Sequence, residues 1–337
     1  MVESSQLRAE TVESKGRLSC EPVMPARKVP TLHDDVRDGL LSKPRSLPAK
    51  YFYDDRGSKL FDQICDTQEY YPTRTEDALL HDCASTIVSK LKPQHVIELG
   101  SGASRKTRRL FDACAELGCH VKYWPFDVCE EMLRGASEDL VGEYDWLHIK
   151  GLVGDYNAGF DHLPEFEGSS LFVFLGGTIG NFEHDQAVAF LSELRHSMRL
   201  GDMLLMGADR IKDEHILNAA YNDDAGVTAD FNLNLLNILN RELGSNFEPA
   251  KFRHHAFFNE EKSQIEMHLI ALEEQTISLT ALNEKIAFKE GETILTEISR
   301  KFTLESLKSL LKEAGFSFND HFEPDDEYFS LILAEPA

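Results

Sequence analysis

VIELGSGASRKTRR, residues 96–109, decides the fold of this chain. The apolar Val96, Ile97 and Leu99 run into Gly100-Ser101-Gly102, and a basic, small-residue segment that can open a helix follows. That order reads as a buried strand, a glycine turn and a helix start. Glycines suit the turn because the backbone must reverse sharply and let a ligand approach where a Cβ would collide. The helix start adds free N–H groups and the positive end of a dipole. A dinucleotide-binding corner would place a third glycine where Arg105 stands, to let the helix pack closely. A plain turn with no ligand also fits these residues.

Outward from this stretch, helical and strand-like segments alternate over residues 75–209, which predicts an α/β domain with a mostly parallel sheet. Residues 75–91 read as a helix, 96–99 as the first strand, 106–116 as its crossover helix and 121–126 as the second strand, closing on Asp127. That carboxylate lies 27 residues after Gly100. It can accept both hydroxyls of a ribose, cap the next helix, or do both. A third strand tip falls near Val153-Gly154-Asp155-Tyr156, where the carboxylate can accept from an adenine amino group and the ring can stack on the base. The fourth strand, LFVFL at 171–175, runs into Gly176-Gly177-Thr178-Ile179-Gly180-Asn181. Ligands of open sheets sit beyond the carboxyl ends of the strands, so this second glycine-rich tip should face the first. Asn181 is placed to bind a polar substrate or to form the turn. Val188, Leu191, Leu194 and Met198 recur at helical spacing, and they and the strand MLLMGAD at 203–209 read as core.

After Asp209 the rhythm changes. Residues 210–245 read as helical, and short alternating strands follow. In QIEMHLIAL, Ile265, Met267 and Leu269 share one face. In ILTEISRKF, Leu295, Glu297, Ser299 and Lys301 share one face, opposite the apolar Ile294, Thr296 and Ile298. Two hydrogen-bonding groups at Glu297 and Ser299 suit a nitrogen heterocycle, or simply a solvated strand face. Leu304, Leu307, Leu310 and Leu311 mark a helix stopped by Gly315, and FSFNDHF and YFSLILA then read as a hairpin. A helix and terminal antiparallel hairpin are how a class I S-adenosylmethionine (SAM) methyltransferase sheet ends, and Glu98, two before Gly100, matches the glycine motif of that fold. The expected fold is therefore α/β: a class I SAM-methyltransferase (Rossmann-like) sheet with a terminal antiparallel hairpin, interrupted by an inserted α+β substrate-binding domain. Residues 75–209 and 301–337 would bind SAM, and residues 31–74 and 210–300 the substrate. Residues 1–30, polar and carrying Pro22, Pro25 and Pro30, would be a mobile leader. Tyr51, Phe52, Tyr53, Phe61, Tyr70 and Tyr71 either pack a small subdomain or cap a polar pocket.

Composition narrows the partners. Lys plus Arg is 35 and Asp plus Glu 58, so the net charge of 35 − 58 = −23 argues against a nucleic-acid or anionic-membrane surface. A small molecule is the better substrate. Cys20, Cys65, Cys83, Cys114, Cys119 and Cys129 show no C-x-x-C and no metal-ligand spacing, which suits a reduced, cytoplasmic protein without a metal. His254-His255 has no obvious ligand partners nearby and reads as surface or packing histidine. The first residues, MVESSQLRAE, lack the apolar core of a signal peptide, and no apolar run approaches the roughly 20 residues that span a bilayer. A monomer is the expectation.

KPRSLPAKYFYDDRGSKLFDQI, EYYPTRTE, ELGSGASRKTR, PFDV, FLGGTIGN, AYNDDAGVTADFN, IEMHL and LTEISRKF resemble the L-histidine Nα-methyltransferase family of the ergothioneine pathway. EYYPTRTE followed by ELGSG and FLGGTIGN carries that likeness more specifically than the glycine motif alone. The resemblance implies SAM-dependent trimethylation of the α-amino group of L-histidine to its betaine, hercynine. It implies that Gly100, Ser101, Lys106, Asp127, Asp155 and Tyr156 hold SAM. Tyr53, Gly176, Asn181 and Tyr221 would hold the amino and carboxylate groups of histidine, and Tyr70, Met267, Glu297 and Ser299 would meet its imidazole. Tyr53 is the candidate to hydrogen-bond the amine and help pass its proton to solvent. Relatives acting on tryptophan-type substrates lack the Met and Glu pairing present here. A nicotinamide oxidoreductase and a non-catalytic SAM-fold subunit remain as rival readings.

Overall fold

The computed structural model describes residues 16–337. Strands are numbered in chain order. The larger sheet contains β1 (Leu18–Pro22), β3 (His95–Leu99), β4 (Lys122–Asp127), β5 (His148–Val153), β6 (Ser170–Phe174), β7 (Met203–Asp209), β13 (Phe316–Phe322) and β14 (Phe329–Pro336). The smaller sheet contains β2 (Arg45–Ser46), β8 (Phe252–Asn259), β9 (Gln264–Ala271) and β12 (Thr293–Arg300), while β10 (Gln275–Leu279) and β11 (Glu284–Phe288) form a hairpin of their own.

The larger sheet runs β1-β5-β4-β3-β6-β7-β14-β13. Its first six strands are parallel, and the last two join antiparallel as the expected hairpin. Strands buried on both faces must be largely apolar on both, which is why Val96-Ile97, Leu171–Phe174 and Met203–Met206 read as hydrophobic runs within β3, β6 and β7. Along β3, Val96 enters the core beneath helices Tyr71–Leu91 and Arg108–Glu116, and Ile97 enters the opposite core with helices His184–His196 and Leu304–Glu313. The strand order reverses between β3 and β6. A crevice therefore opens beyond their carboxyl ends, where the two glycine-rich tips stand.

The smaller sheet is built on a third core, which adds Phe52, Ile64, Tyr70 and Tyr71 to residues of helix Val227–Leu243. Its β12 approaches the turn after β6 closely: a Cβ on Gly180 would stand 2.7 Å from the Arg300 carbonyl oxygen. Only glycine lets the two sheets meet there, and that contact sets one wall of the crevice against the other.

Three expectations need correction. Residues 1–15 of the expected leader lie outside the described part, but Leu18–Pro22 is the edge strand of the larger sheet, paired in parallel with β5. Arg17 fixes it, its guanidinium donating to the carbonyls of Val141 (3.0 Å) and Tyr144 (2.9 Å) at the end of helix Glu130–Glu143. The prolines and polar residues around it hide a strand of five residues. The helical stretch 210–245 is two helices, Glu214–Ala220 and Val227–Leu243, because Asp223 accepts from Val227 N and Thr228 N at 2.8 Å each and starts the second one afresh. Asp209, read as core at the end of β7, is buried but belongs to a charged cluster described below.

Candidate active site

A cavity of about 1060 Å³ lies between the glycine-rich tips of the larger sheet and β12 of the smaller. Ligand pockets commonly span about 300–1,000 Å³, so there is room for two small molecules meeting end to end. Tyr53, Tyr70, Gly100, Ser101, Lys106, Asp127, Asp155, Tyr156, Gly176, Asn181, Tyr221, Glu297 and Ser299 all line it. Met267 does not. It pairs with Glu297 across β9 and β12, but its side chain is 1 % exposed, buried in the core of the smaller sheet.

On the larger-sheet side the corner is held largely through backbone. Gly100 and Gly102 adopt positive φ (70° and 48°), as a turn this tight demands. Asp127 accepts from Gly102 N (2.9 Å, Oδ2) and from Cys129 N (2.9 Å, Oδ1), so one carboxylate ties the first strand tip to the second. Its remaining lone pairs stay available to a ribose. Asp155 accepts from Asn157 N at 2.8 Å. The Tyr156 ring sits 5.6 Å from Phe190 and 6.0 Å from Phe174, centroid to centroid, on an aromatic floor. Burial, then Asp155 and Asp127, push its hydroxyl above the ordinary phenol range and keep it neutral.

Glu76 is the residue at this corner that sequence reasoning missed. It is 0 % exposed, it accepts from Gly176 N (2.9 Å, Oε2), and it pairs with the Lys106 ammonium. One buried carboxylate thus pins the second glycine tip and aims the lysine. Its presence in EYYPTRTE was the available signal. Glu98 does similar work beneath the first tip, accepting from Thr107 Oγ1 (2.6 Å) and from the Tyr123 hydroxyl; burial raises its pKa to about 7.

The smaller-sheet side is made of side chains. Tyr53, Phe61, Tyr70 and Tyr221 meet edge to face, with ring centroids 5.7, 6.3 and 6.1 Å apart in succession. The aromatic stretch before residue 75 therefore both packs and lines the cavity. Tyr53 keeps 38 % of its surface accessible, yet its hydroxyl is desolvated and close to Glu297, and both effects push it well above the usual phenol range. On β12 the register shifts between Leu295 and Glu297. Thr296 turns inward there and donates to Asn232 Oδ1 at 2.8 Å, leaving Glu297 and Ser299 on the cavity wall. Burial raises the Glu297 carboxyl to about 7, with Lys301 pulling the other way. Among the described residues, no N–H or O–H donates to it.

Beside Glu297 and Ser299 the same wall carries a charged cluster assembled from four segments. Asp209 receives Tyr71 OH (2.7 Å, Oδ2), Lys301 Nζ (2.8 Å) and the Lys212 ammonium. Burial opposes the Lys301 charge, but Asp209 and Tyr221 more than offset it and hold the ammonium above its ordinary pKa. Lys212 is pushed down to about 8 by burial. His254, as expected, packs: its ring nitrogens meet Asn232 Nδ2 (2.9 Å) and the Tyr221 carbonyl (2.8 Å). Among the described residues no group of three or more His, Cys, Asp or Glu could hold a metal ion, and no helix is long and apolar enough to cross a membrane.

SAM fits the first wall on a direct observation. Ser101 Oγ is buried at the glycine turn with no hydrogen-bond partner among the described residues, on the cavity lining. A buried unpaired hydroxyl costs about 1–3 kcal/mol and asks for a polar ligand. The parallel sheet, its reversed terminal hairpin and the glycine corner at the switch point define the class I SAM-dependent methyltransferase fold. The chain belongs to the family of histidine-specific, SAM-dependent methyltransferases, whose family model matches residues 32–336. Histidine N-alpha-methyltransferase of Mycolicibacterium smegmatis is 43 % identical over 303 residues, covering 90 % of this chain and 94 % of that one. The Mycobacterium tuberculosis protein of the same name is 42 % identical over the same shares. Ergothioneine biosynthesis protein 1 of Schizosaccharomyces pombe is 28 % identical over 82 % of this chain and 37 % of its own length.

Proposed function

We propose that this chain methylates the α-amino nitrogen of L-histidine three times with SAM, giving the betaine hercynine at an early step of ergothioneine synthesis. The observation that carries the reading is the meeting of two unlike walls in one cavity: a glycine corner with a serine hydroxyl that has no partner among the described residues, and Glu297, to which none of the described residues donates, beside Ser299. Gly100, Ser101, Lys106, Asp127, Asp155 and Tyr156 hold SAM, which supplies an electrophilic methyl group on a sulfonium. Asp127 takes the ribose hydroxyls, and Asp155 with Tyr156 takes the adenine.

Tyr53, Gly176, Asn181 and Tyr221 surround the amino and carboxylate groups of histidine. Tyr70, Glu297 and Ser299 meet its imidazole, and Met267, paired with Glu297, packs the sheet that carries them. The amine must shed a proton before its lone pair can attack. Tyr53 is neutral at working pH, its hydroxyl held above the phenol range, so it accepts a hydrogen bond from the amine N–H and, as it takes that proton, releases its own hydroxyl proton to solvent instead of acting as a phenolate base. Most of the acceleration then comes from holding nitrogen in line, with no covalent enzyme intermediate.

The test is mass spectrometry of the purified protein given SAM and the twenty amino acids. Histidine carrying three added methyl groups is the expected product. Methylated tryptophan or tyrosine would overturn the Glu297 pocket and leave the fold untouched, and no methylated product would leave a SAM-binding subunit.

A further inference from the structure

Lys301 is 3 % exposed, lines the cavity, and carries a full charge beside the proposed imidazole site. An ammonium has three protons to donate and accepts nothing. All three are placed: one on Asp209 Oδ2 (2.8 Å), one on the Tyr221 hydroxyl (2.9 Å) and one on Ser299 Oγ (3.0 Å). The third side of that triangle is closed by Tyr221 OH and Ser299 Oγ, 2.9 Å apart.

Counting lone pairs decides what the triangle can offer a ligand. Each hydroxyl oxygen has two acceptor sites and one proton. Lys301 fills one site on each. A phenol is the stronger donor and an aliphatic hydroxyl the better acceptor, so Tyr221 donates to Ser299. Both acceptor sites of Ser299 are then filled, and its own proton is left over. We propose that Lys301 is a positioning residue that makes Ser299 a pure hydrogen-bond donor, so that the site selects a five-membered ring presenting one bare nitrogen as well as one N–H. The inference rests on the reading of Glu297 and Ser299 as the ring contacts. Glu297 accepts the ring N–H, and Ser299 donates to the opposite nitrogen. The ring is thereby recognised in its neutral form, and a ring with a C–H in place of the bare nitrogen meets an unusable donor.

Lys301 can be removed without stranding its partner, because Asp209 keeps Lys212 and Tyr71. The test compares kcat/KM for histidine with that for 3-(pyrrol-2-yl)alanine, which keeps an N–H but has no bare ring nitrogen. Four proteins are assayed: the parent, Lys301→Met, Ser299→Ala and the double variant, each first checked for cooperative unfolding. The parent should prefer histidine by at least about tenfold, the scale of one buried hydrogen bond to a fixed donor. Both variants should flatten that preference to about threefold or less, chiefly through a higher KM for histidine, and the double variant should lose nothing further. A parent that does not discriminate would overturn the ring contact itself. If Ser299→Ala flattens the preference and Lys301→Met keeps it, the ring contact stands and the role of the lysine falls. Should Lys301→Met not fold, Lys301→Gln, which retains two donors for the two hydroxyls, takes its place and must keep the preference; its loss would contradict the donor count.

Discussion

The two walls of the cavity solve the same problem with different materials. The corner at Gly100 and Gly176 is fixed by main chain: positive-φ glycines, N–H groups and two carboxylates that grip them, Asp127 on Gly102 N and Glu76 on Gly176 N. The wall at Glu297 is fixed by side chains from four distant segments: Tyr71, Asp209 with Lys212, Tyr221, and Ser299 with Lys301. A backbone corner suits a ligand whose shape is constant across a fold. Side chains suit a ligand that must be told apart from its neighbours, because a buried polar group left unpaired penalises the wrong one.

The largest effect is expected where the backbone wall depends on a side chain. Glu76→Ala would free Gly176 N–H and leave Lys106 without its counter-ion, and removing one member of a buried pair costs about 3 kcal/mol or more. Chemical denaturation should show that loss, and SAM affinity should fall with it. A stable variant with unchanged SAM binding would mean the glycine tip holds itself.

Tyr53→Phe sharpens the contrast from the other side. It should leave SAM binding intact and lower kcat by about a hundredfold, the lower end of acid–base contributions. Single-turnover rates for each of the three transfers would measure it, and full rates throughout would remove Tyr53 from proton handling.

Glu297 should show that the side-chain wall is built against stability. Its carboxyl is raised to about 7 by burial, so the folded state resists ionisation that the unfolded chain undergoes near its ordinary value. Folding stability therefore falls as pH rises from about 4.5 to about 7, and the deficit persists above that. Glu297→Gln should gain about 1–2 kcal/mol at pH 8, discounted from the full shift because the group faces a cavity, and gain nothing at pH 4. Paired denaturation curves at the two pH values check the sign. The smallest effect is expected far from both walls: Arg17→Ala should cost about 1 kcal/mol in thermal unfolding by loosening the edge strand, with no change in catalysis.

The same contrast explains what could be read from the sequence. The corner was legible because its requirements are local: a run of apolar residues, glycines at fixed offsets, an acid at the next strand tip. The terminal hairpin was legible for the same reason. On β12, alternation put Glu297, Ser299 and Lys301 on one face, yet nothing in the pattern showed that Lys301 reaches Asp209, because the two are 92 residues apart and meet only through the fold. Met267 sits across from Glu297 as its strand position implies, but the bulge at Thr296 shifts which side chains reach the cavity, and bulges leave little local trace. Glu76 was hidden in plain view in the second turn of helix Tyr71–Leu91, buried only two residues after the exposed Arg74. The edge strand Leu18–Pro22 was hidden by its length and its prolines.

The central claim is that two chemically different walls bind two different molecules in one cavity. Isothermal titration of S-adenosylhomocysteine and of histidine into the parent and into Glu297→Ala tests it directly. Histidine should weaken by at least about tenfold, the cost of one buried charged hydrogen bond, while S-adenosylhomocysteine should change by less than about twofold. Equal weakening of both ligands, or no weakening of histidine, would contradict it.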